Sequence, residues 1–172
     1  LDLSSLGWQQ VPTGTAQSGH GSSSVMYRPG VVLRTGHADG VAEVIDMTTA
    51  APQWQTVQSM KYPRELHNLV VLPDGDVLAI GGGLAFDHDP ACAVYEAEIW
   101  DAQTGTWQPV ASMQRPHVYH ATAVLLPDGR VLAAGGENLE LLGGERSAEI
   151  YSPPYLFRGP RPTIEAVPAA VY

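Results

Sequence analysis

The sequence is poor in cysteine and in basic residues, and each scarcity excludes a class of protein. Its single cysteine, Cys92, cannot form an intrachain disulfide, which excludes a disulfide-stabilised scaffold. Nine lysine and arginine residues stand against 18 aspartate and glutamate residues, giving a formal net charge of −9. Because the basic residues are also scattered, we expect no nucleic-acid partner. No apolar run is long enough to cross a bilayer, so we expect no membrane span.

Glycine and proline are abundant, with 18 and 14 residues, and they mark the turns of a hairpin. In its clearest copy an apolar run at 121–126 leads into Pro127, Asp128 and Gly129, and a second apolar run follows at 131–134. Proline fixes φ at the first corner of a turn, and glycine supplies the positive φ that the turn needs. The pattern therefore predicts a β-hairpin that ends at a pair of glycines.

This hairpin pattern occurs three times along the chain. A second copy at 63–82 has one residue fewer before its turn, and a weaker copy lies at 21–36. Each copy is followed by a short strand that begins with an acidic residue, namely Glu43, Glu98 or Glu149. Three tryptophans stand at a similar distance ahead of the next unit: Trp8, Trp54 and Trp107. A repeat of about 50 residues with four short strands is typical of kelch-type β-propellers.

The sequence thus predicts an all-β fold of about three four-stranded antiparallel kelch blades. Propellers usually close with about 4–8 blades, so we expect the chain to be part of a larger ring. Open blade edges favour self-association or packing against the remaining blades. We expect the end of a preceding blade at 1–18, blades at 19–60, 61–113 and 114–157, and a proline-rich linker with the first strand of a following domain at 158–172.

Tyr119 and His120 form a candidate metal-binding corner directly ahead of the third hairpin. Adjacent side chains in a strand point to opposite faces, but loop geometry at the start of a strand can turn both toward one point. Two interpretations stay open at this stage. The phenol and the imidazole either bind a metal together or form hydrogen bonds with the backbone at the corner of a blade.

Other polar residues lie in the loops between the predicted strands. Asp87, His88 and Asp89 are suitable ligands for a hard cation or zinc, but the same residues also occur in solvated turns. His20 and His37 flank the first hairpin, either as ligands or as hydrogen-bonded corners, and the sequence does not decide between them. Phe86, an aromatic side chain in a polar loop, is typical of a pocket lining. The loop at 137–146 is acidic and shows no evident ligand set.

Three segments together are similar to the galactose oxidase and glyoxal oxidase family of copper radical oxidases. They are Tyr119-His120 ahead of Leu-Leu-Pro-Asp-Gly-Arg-Val, the segment Glu-Ile-Tyr-Ser-Pro-Pro-Tyr-Leu at 149–156, and Arg-Pro-Thr-Ile at 161–164. Residues 64–75 resemble the preceding blade of that family, including a one-residue difference in strand length. The resemblance covers nearly the whole chain. It implies the last blades of a seven-bladed ring, the start of an immunoglobulin-like C-terminal domain, and an extracellular or cell-envelope location.

The resemblance also implies a cofactor and a reaction. In this family copper is bound by two tyrosines and two histidines, and one tyrosine carries a radical and is cross-linked to cysteine. Tyr119 would be the axial tyrosine and His120 an equatorial ligand, which suits the affinity of imidazole and phenolate for copper. Tyr119 would take a proton from a primary alcohol or hydrated aldehyde, and O2 would leave as H2O2. Phe86 and Leu66 would shape the substrate pocket, and Arg64 would be a polar group at its rim.

The chain also departs from that family's pattern. The radical tyrosine, its cysteine partner and the final histidine would lie outside this chain, which therefore lacks a complete site. Cys92 does not match the cross-link and is expected to be an ordinary small residue. The loop after Gly36 lacks aromatic and amide groups, which favours small aldehydes or other alcohols over galactose as the substrate. The alternative function is a non-catalytic kelch module that binds a glycan or a protein partner.

Overall fold

The computed structural model describes eleven β-strands and two short 3-10 helices. The described residues are 7–8, 10–14, 21–36, 39–84, 89–137, 144–160, 163 and 165–166. The first sheet contains β1 (Ser23–Arg28), β2 (Val31–Thr35), β3 (Ala42–Asp46) and β4 (Trp54–Val57). The second contains β5 (Asn68–Val71), β6 (Val77–Ile80), β7 (Glu98–Asp101) and β8 (Thr106–Pro109). The third contains β9 (Thr122–Leu125), β10 (Val131–Ala134) and β11 (Ala148–Tyr151).

Each sheet is an antiparallel meander in which strands pair in their order along the chain. The strand β1 packs beside β5, and β5 packs beside β9, so the first strands of successive sheets are neighbours. This is the arrangement of propeller blades, whose innermost strands face one another around an axis. The predicted all-β, propeller-like fold is confirmed.

The third sheet differs from the prediction of four strands, because it has three strands among the described residues. After β11 the chain enters Pro153 and Pro154 and forms a 3-10 helix at Pro154–Phe157. Proline has no N–H to donate to a strand ladder, and its ring restricts the preceding residue. The chain therefore leaves the sheet at the point where the other two units continue to a fourth strand.

The turns of the second and third hairpins form where the Pro-Asp-Gly pattern predicts them. Gly75 has a φ of 93° and donates its N–H to the carbonyl of Leu72 at 2.9 Å. Gly129 has a φ of 86° and donates in the same way to Leu126 at 2.9 Å. Both angles lie in the region that glycine occupies at little cost. Local chemistry is thus sufficient to set both turns.

The first strands of these two hairpins have equal lengths, which contradicts the one-residue difference inferred from the sequence. Both β5 and β9 contain four residues, and they begin at Asn68 and Thr122. The extra residue of the third unit therefore lies ahead of the strand rather than within it. In consequence His120 occupies the register position of Leu66, two residues before the strand, and not that of His67.

Two apolar cores lie between the three sheets. The first joins the facing sides of the first and second sheets, with Tyr27, Val31, Leu33, Ala42, Val77, Ala79, Trp100 and Trp107. The second joins the second and third sheets, with Val70, Leu72, Leu78, Ile80, Ala97, Val131 and Ala133. All four residues of β6 are buried because this strand has a neighbouring sheet on each face. No helix in the described part of the chain is long and apolar enough to cross a membrane.

Candidate metal-binding corner

Tyr119 and His120 lie side by side at the turn that precedes β9. Their ring centroids are 3.7 Å apart and the ring planes are inclined by 27°, so the two side chains are stacked. His120 has a φ of 61°, in the left-handed region that non-glycine residues seldom adopt. This backbone conformation interrupts the alternation of a strand, so the two adjacent side chains point the same way. Residues held in such conformations concentrate at functional sites.

Two backbone hydrogen bonds, one of them from the end of the same hairpin, hold this corner in place. The N–H of Glu137 donates to the carbonyl of Tyr119 at 2.6 Å, and the N–H of Ala121 donates to the carbonyl of Val118 at 3.1 Å. Gly136 passes close by with a φ of 123°, and a Cβ there would lie 3.2 Å from the nitrogen of Val118. A side chain at position 136 would therefore press on the backbone of the corner.

The segment leading into the corner is anchored by a histidine and a carboxylate. His117 is buried, with its Nδ1 at 2.8 Å from the carbonyl oxygen of Gly135 and its Nε2 at 3.3 Å from Oε2 of Glu149. The Glu149 carboxylate also accepts from the backbone N–H groups of Gln114 and Arg115 at 2.8 and 2.9 Å. Glu149, the acidic residue that the sequence pattern places in the third strand of this unit, thus fixes the chain that enters the hairpin.

Arg64 performs the corresponding task in the second sheet, and this overturns its assignment to the rim of a pocket. Its guanidinium donates to the carbonyl of Gly81 at 3.3 Å and to Oε2 of Glu98 at 3.2 Å. Both charged side chains have no exposed surface. Burial lowers the pKa of Arg64, and the nearby charge of Glu98 opposes that shift. The prediction that Arg64 lies at the rim of a pocket is wrong, because its side chain is completely buried.

Leu66, the second predicted pocket residue, stands in the second sheet where His120 stands in the third. It is half-buried and has a φ of 60°, nearly the same as that of His120. Its side chain packs against Gly21, where any Cβ would collide with it. A pocket role for Leu66 stays a prediction. Phe86, the third candidate, lies outside the described residues.

The other sequence-predicted ligands do not form a metal site in the part of the chain that the structure describes. His20, His37, Asp87 and His88 lie outside it, and no group of three or more histidine, cysteine, aspartate or glutamate side chains converges within it. Asp89 accepts from the N–H of Ala91 at 2.8 Å and caps the 3-10 helix at Pro90–Cys92. This contact gives Asp89 a structural role at the helix start.

His67 resembles His120 in the sequence but has a different environment. Its ring is buried, and neither ring nitrogen has a hydrogen-bond partner among the described residues. Burial, with a smaller contribution from the charge of Arg64, lowers the pKa of His67 to about 3. His67 is therefore a neutral core histidine at neutral pH.

The donor set at the corner fits half of a copper site. His120 directs its Nδ1 to Oε1 of Glu137 at 2.8 Å, which leaves Nε2 as the nitrogen available to a metal. The imidazole is 61% exposed, and the phenol stacked on it supplies an oxygen donor. Nitrogen and oxygen donors of this kind suit Cu(II), but two donors do not complete its coordination. Any further ligands must come from other residues.

Comparison with known proteins identifies the family. Residues 20–155 match the family model described as the glyoxal oxidase N-terminus. The chain belongs to the galactose oxidase and glyoxal oxidase family. A galactose oxidase from Gibberella zeae is 29% identical over 173 residues, and an aldehyde oxidase from Arabidopsis thaliana is 32% identical over 127 residues. These alignments cover 91% and 65% of this chain.

A solved structure of a fungal alcohol oxidase in complex with copper has a similar fold to this oxidase-family chain. The two share 27% sequence identity with a TM-score of 0.74, over 83% of this chain and 33% of the fungal one. The chain spans only 25% of the galactose oxidase and 20% of the aldehyde oxidase that it matches. It therefore corresponds to one part of these larger oxidases.

Glu137 is the site residue that sequence reasoning missed. The loop at 137–146 contains acidic residues without ligand spacing, and the pattern gave no reason to select one of them. The sequence signal that could have selected Glu137 is its position directly after the glycine pair of the third hairpin. The second hairpin has Gly83 at the equivalent position, which carries no side chain. Only the structure shows that this position faces the residue two before the strand.

Proposed function

We propose that this chain supplies two ligands, Tyr119 and His120, to the copper of a copper radical oxidase. The enzyme would oxidise a primary alcohol or aldehyde with O2 and release H2O2. The observation that supports this most directly is the stacked pair of rings on a left-handed corner in a chain of this family. The remaining ligands, including a cross-linked radical tyrosine, would come from residues outside this chain.

In this proposal Nε2 of His120 and Oη of Tyr119 hold the metal. Copper supplies one-electron redox chemistry when it is bound. The phenolate oxygen of Tyr119 accepts the proton of the substrate hydroxyl, which is the acid–base step that this chain contributes. For an alcohol the balance is one alcohol and one O2 consumed for one aldehyde and one H2O2 formed. Leu66 and Phe86 would be apolar side chains that shape the substrate pocket.

A copper titration of the complete oxidase that would contain this chain tests the ligand assignment. Tyr119→Phe and His120→Ala should each weaken Cu(II) binding by more than the roughly 10–100-fold that residues hydrogen-bonded to ligands usually contribute. Tyr119→Phe should also weaken the phenolate-to-copper absorption band, and His120→Ala should remove the hyperfine coupling of one nitrogen from the spin-resonance spectrum. Leu66→Ala is the matched control, because it changes the same register position in the second sheet and removes no donor.

Equal effects of His120→Ala and Leu66→Ala would contradict the assignment. A complete protein that binds no copper and forms no H2O2 from any primary alcohol or aldehyde would contradict the oxidase proposal as a whole. A kelch module that binds a glycan or a protein partner would then remain. We further propose an extracellular or cell-envelope location, with a kelch blade at each of 19–60, 61–113 and 114–157.

A further inference from the structure

Glu137 makes two contacts with the corner that holds the proposed ligands. Its backbone N–H donates to the carbonyl of Tyr119 at 2.6 Å, and its Oε1 lies 2.8 Å from Nδ1 of His120. The first contact fixes the backbone of the corner, and the second restrains rotation of the imidazole. One residue therefore controls both the position and the orientation of the His120 ring.

The second hairpin of the same chain provides an internal comparison. There the N–H of Gly83 donates to the carbonyl of Glu65 at 3.0 Å, which reproduces the backbone contact of Glu137. Leu66 occupies the left-handed position of His120 with a φ of 60°. The second hairpin thus has the same framework with neither the imidazole nor the carboxylate. Since the backbone does not require Glu137, its side chain needs a separate explanation.

The hydrogen-bonding chemistry of the two groups determines what the contact does. An ionised carboxylate can only accept hydrogen bonds, so the hydrogen in this contact must be on Nδ1 of His120. A neutral imidazole carries one N–H, which leaves the lone pair on Nε2. A carboxylate in this place also makes the imidazole a stronger donor to a metal.

We propose that Glu137 is a positioning residue that selects the Nδ1–H tautomer of His120 and turns Nε2 toward the metal. This inference rests on the proposed function for the identity of the metal. The tautomer itself does not depend on copper and can be measured in metal-free protein. The two parts of the proposal can therefore fail separately.

The first experiment measures the tautomer by long-range 1H–15N correlation spectra of metal-free protein labelled with 15N-histidine. The His120 signals are assigned by their loss in His120→Ala. We expect protonated Nδ1 and unprotonated Nε2 in the unmodified protein and in Glu137→Gln, whose amide oxygen can still accept. In Glu137→Ala we expect a shift toward the Nε2–H form. An Nε2–H tautomer in the unmodified protein, or no change in Glu137→Ala, would overturn the proposal.

The second experiment measures the Cu(II) dissociation constant of the same variants, made in the complete oxidase that would contain this chain. Glu137→Ala should weaken binding by about 10–100-fold, with a smaller loss in Glu137→Gln. Asp128→Asn is the control, since it removes the charge of a half-exposed carboxylate at the other end of the same hairpin, where Nε of Arg130 donates to Oδ2 of Asp128 at 2.7 Å. Equal copper affinity in Glu137→Ala and Asp128→Asn would overturn the positioning role. Absence of copper binding in the unmodified protein would instead overturn the proposed function and leave the tautomer result unaffected.

Discussion

The buried ion pair between Arg64 and Glu98 provides the sharpest prediction about stability. Both side chains are completely buried, and the Glu98 carboxylate receives three donors. Its Oε1 accepts from the N–H of Lys61 at 2.8 Å, and its Oε2 accepts from the N–H of Tyr62 at 3.1 Å and from Arg64 at 3.2 Å. The perturbation is Glu98→Gln, which keeps the volume of the side chain but removes its charge.

The expected decrease in the free energy of unfolding follows from two effects of this substitution. It leaves the Arg64 guanidinium buried without a counter-charge, and removing one partner of a buried pair costs about 3–5 kcal/mol. The amide nitrogen of glutamine also replaces an acceptor, so at least one backbone N–H loses its bond, which contributes to the same loss. Domains usually have a free energy of unfolding of about 5–15 kcal/mol, so this loss is a large share of the total.

Urea unfolding followed by tryptophan fluorescence measures this loss, because Trp100 and Trp107 lie in the adjoining core with ring centroids 5.5 Å apart. Asp128→Asn is the control for an exposed pair, and it should lower the free energy of unfolding by less than about 1 kcal/mol. Combining Glu98→Gln with Arg64→Met should recover part of the loss, since the uncompensated charge is gone. A loss of less than about 1 kcal/mol for Glu98→Gln would refute the reasoning.

Two further predictions concern His67 and the glycines. Since burial lowers the pKa of His67 to about 3 against an ordinary value of about 6.5, its contribution to stability is fully present above pH 6.5 and is lost as the pH falls toward 3. The slope should be about 1.4 kcal/mol per pH unit, and urea unfolding of His67→Leu should lack this component; an unchanged slope would contradict the assignment. Gly82→Ala should lower the melting temperature more than Gly75→Ala. Both glycines have positive φ, but a Cβ at Gly82 would collide with the carbonyl oxygen of Glu65, whereas none of the described atoms lies within 4 Å of a Cβ at Gly75. Equal melting temperatures for the two variants would contradict the predicted collision.

The errors of the sequence prediction share one physical cause. The sequence predicted a polar rim position for Arg64, whereas the side chain is buried against Glu98. The two residues are 34 positions apart, so no local pattern reveals their contact. The equal lengths of β5 and β9 come from pairing with β6 and β10, which the count of residues before the turn does not contain. Glu137 and His120 are 17 residues apart and come into contact only when the hairpin of β9 and β10 forms. Each feature depends on contacts between segments that are distant in the chain.

The sequence by itself determined the all-β fold, the hairpin turns and the family. The turns and strands follow from interactions between residues close in the chain. The Pro-Asp-Gly segments set φ at the turns, and the repeated apolar runs determine which face of each strand is buried. Tertiary structure alone decided that Tyr119 and His120 point the same way. That outcome requires a left-handed φ at His120, which the strand pattern does not encode and which contacts with Glu137 and Ala121 hold in place. Adjacent residues on a chain become a chemical site only when the packing around them fixes their direction.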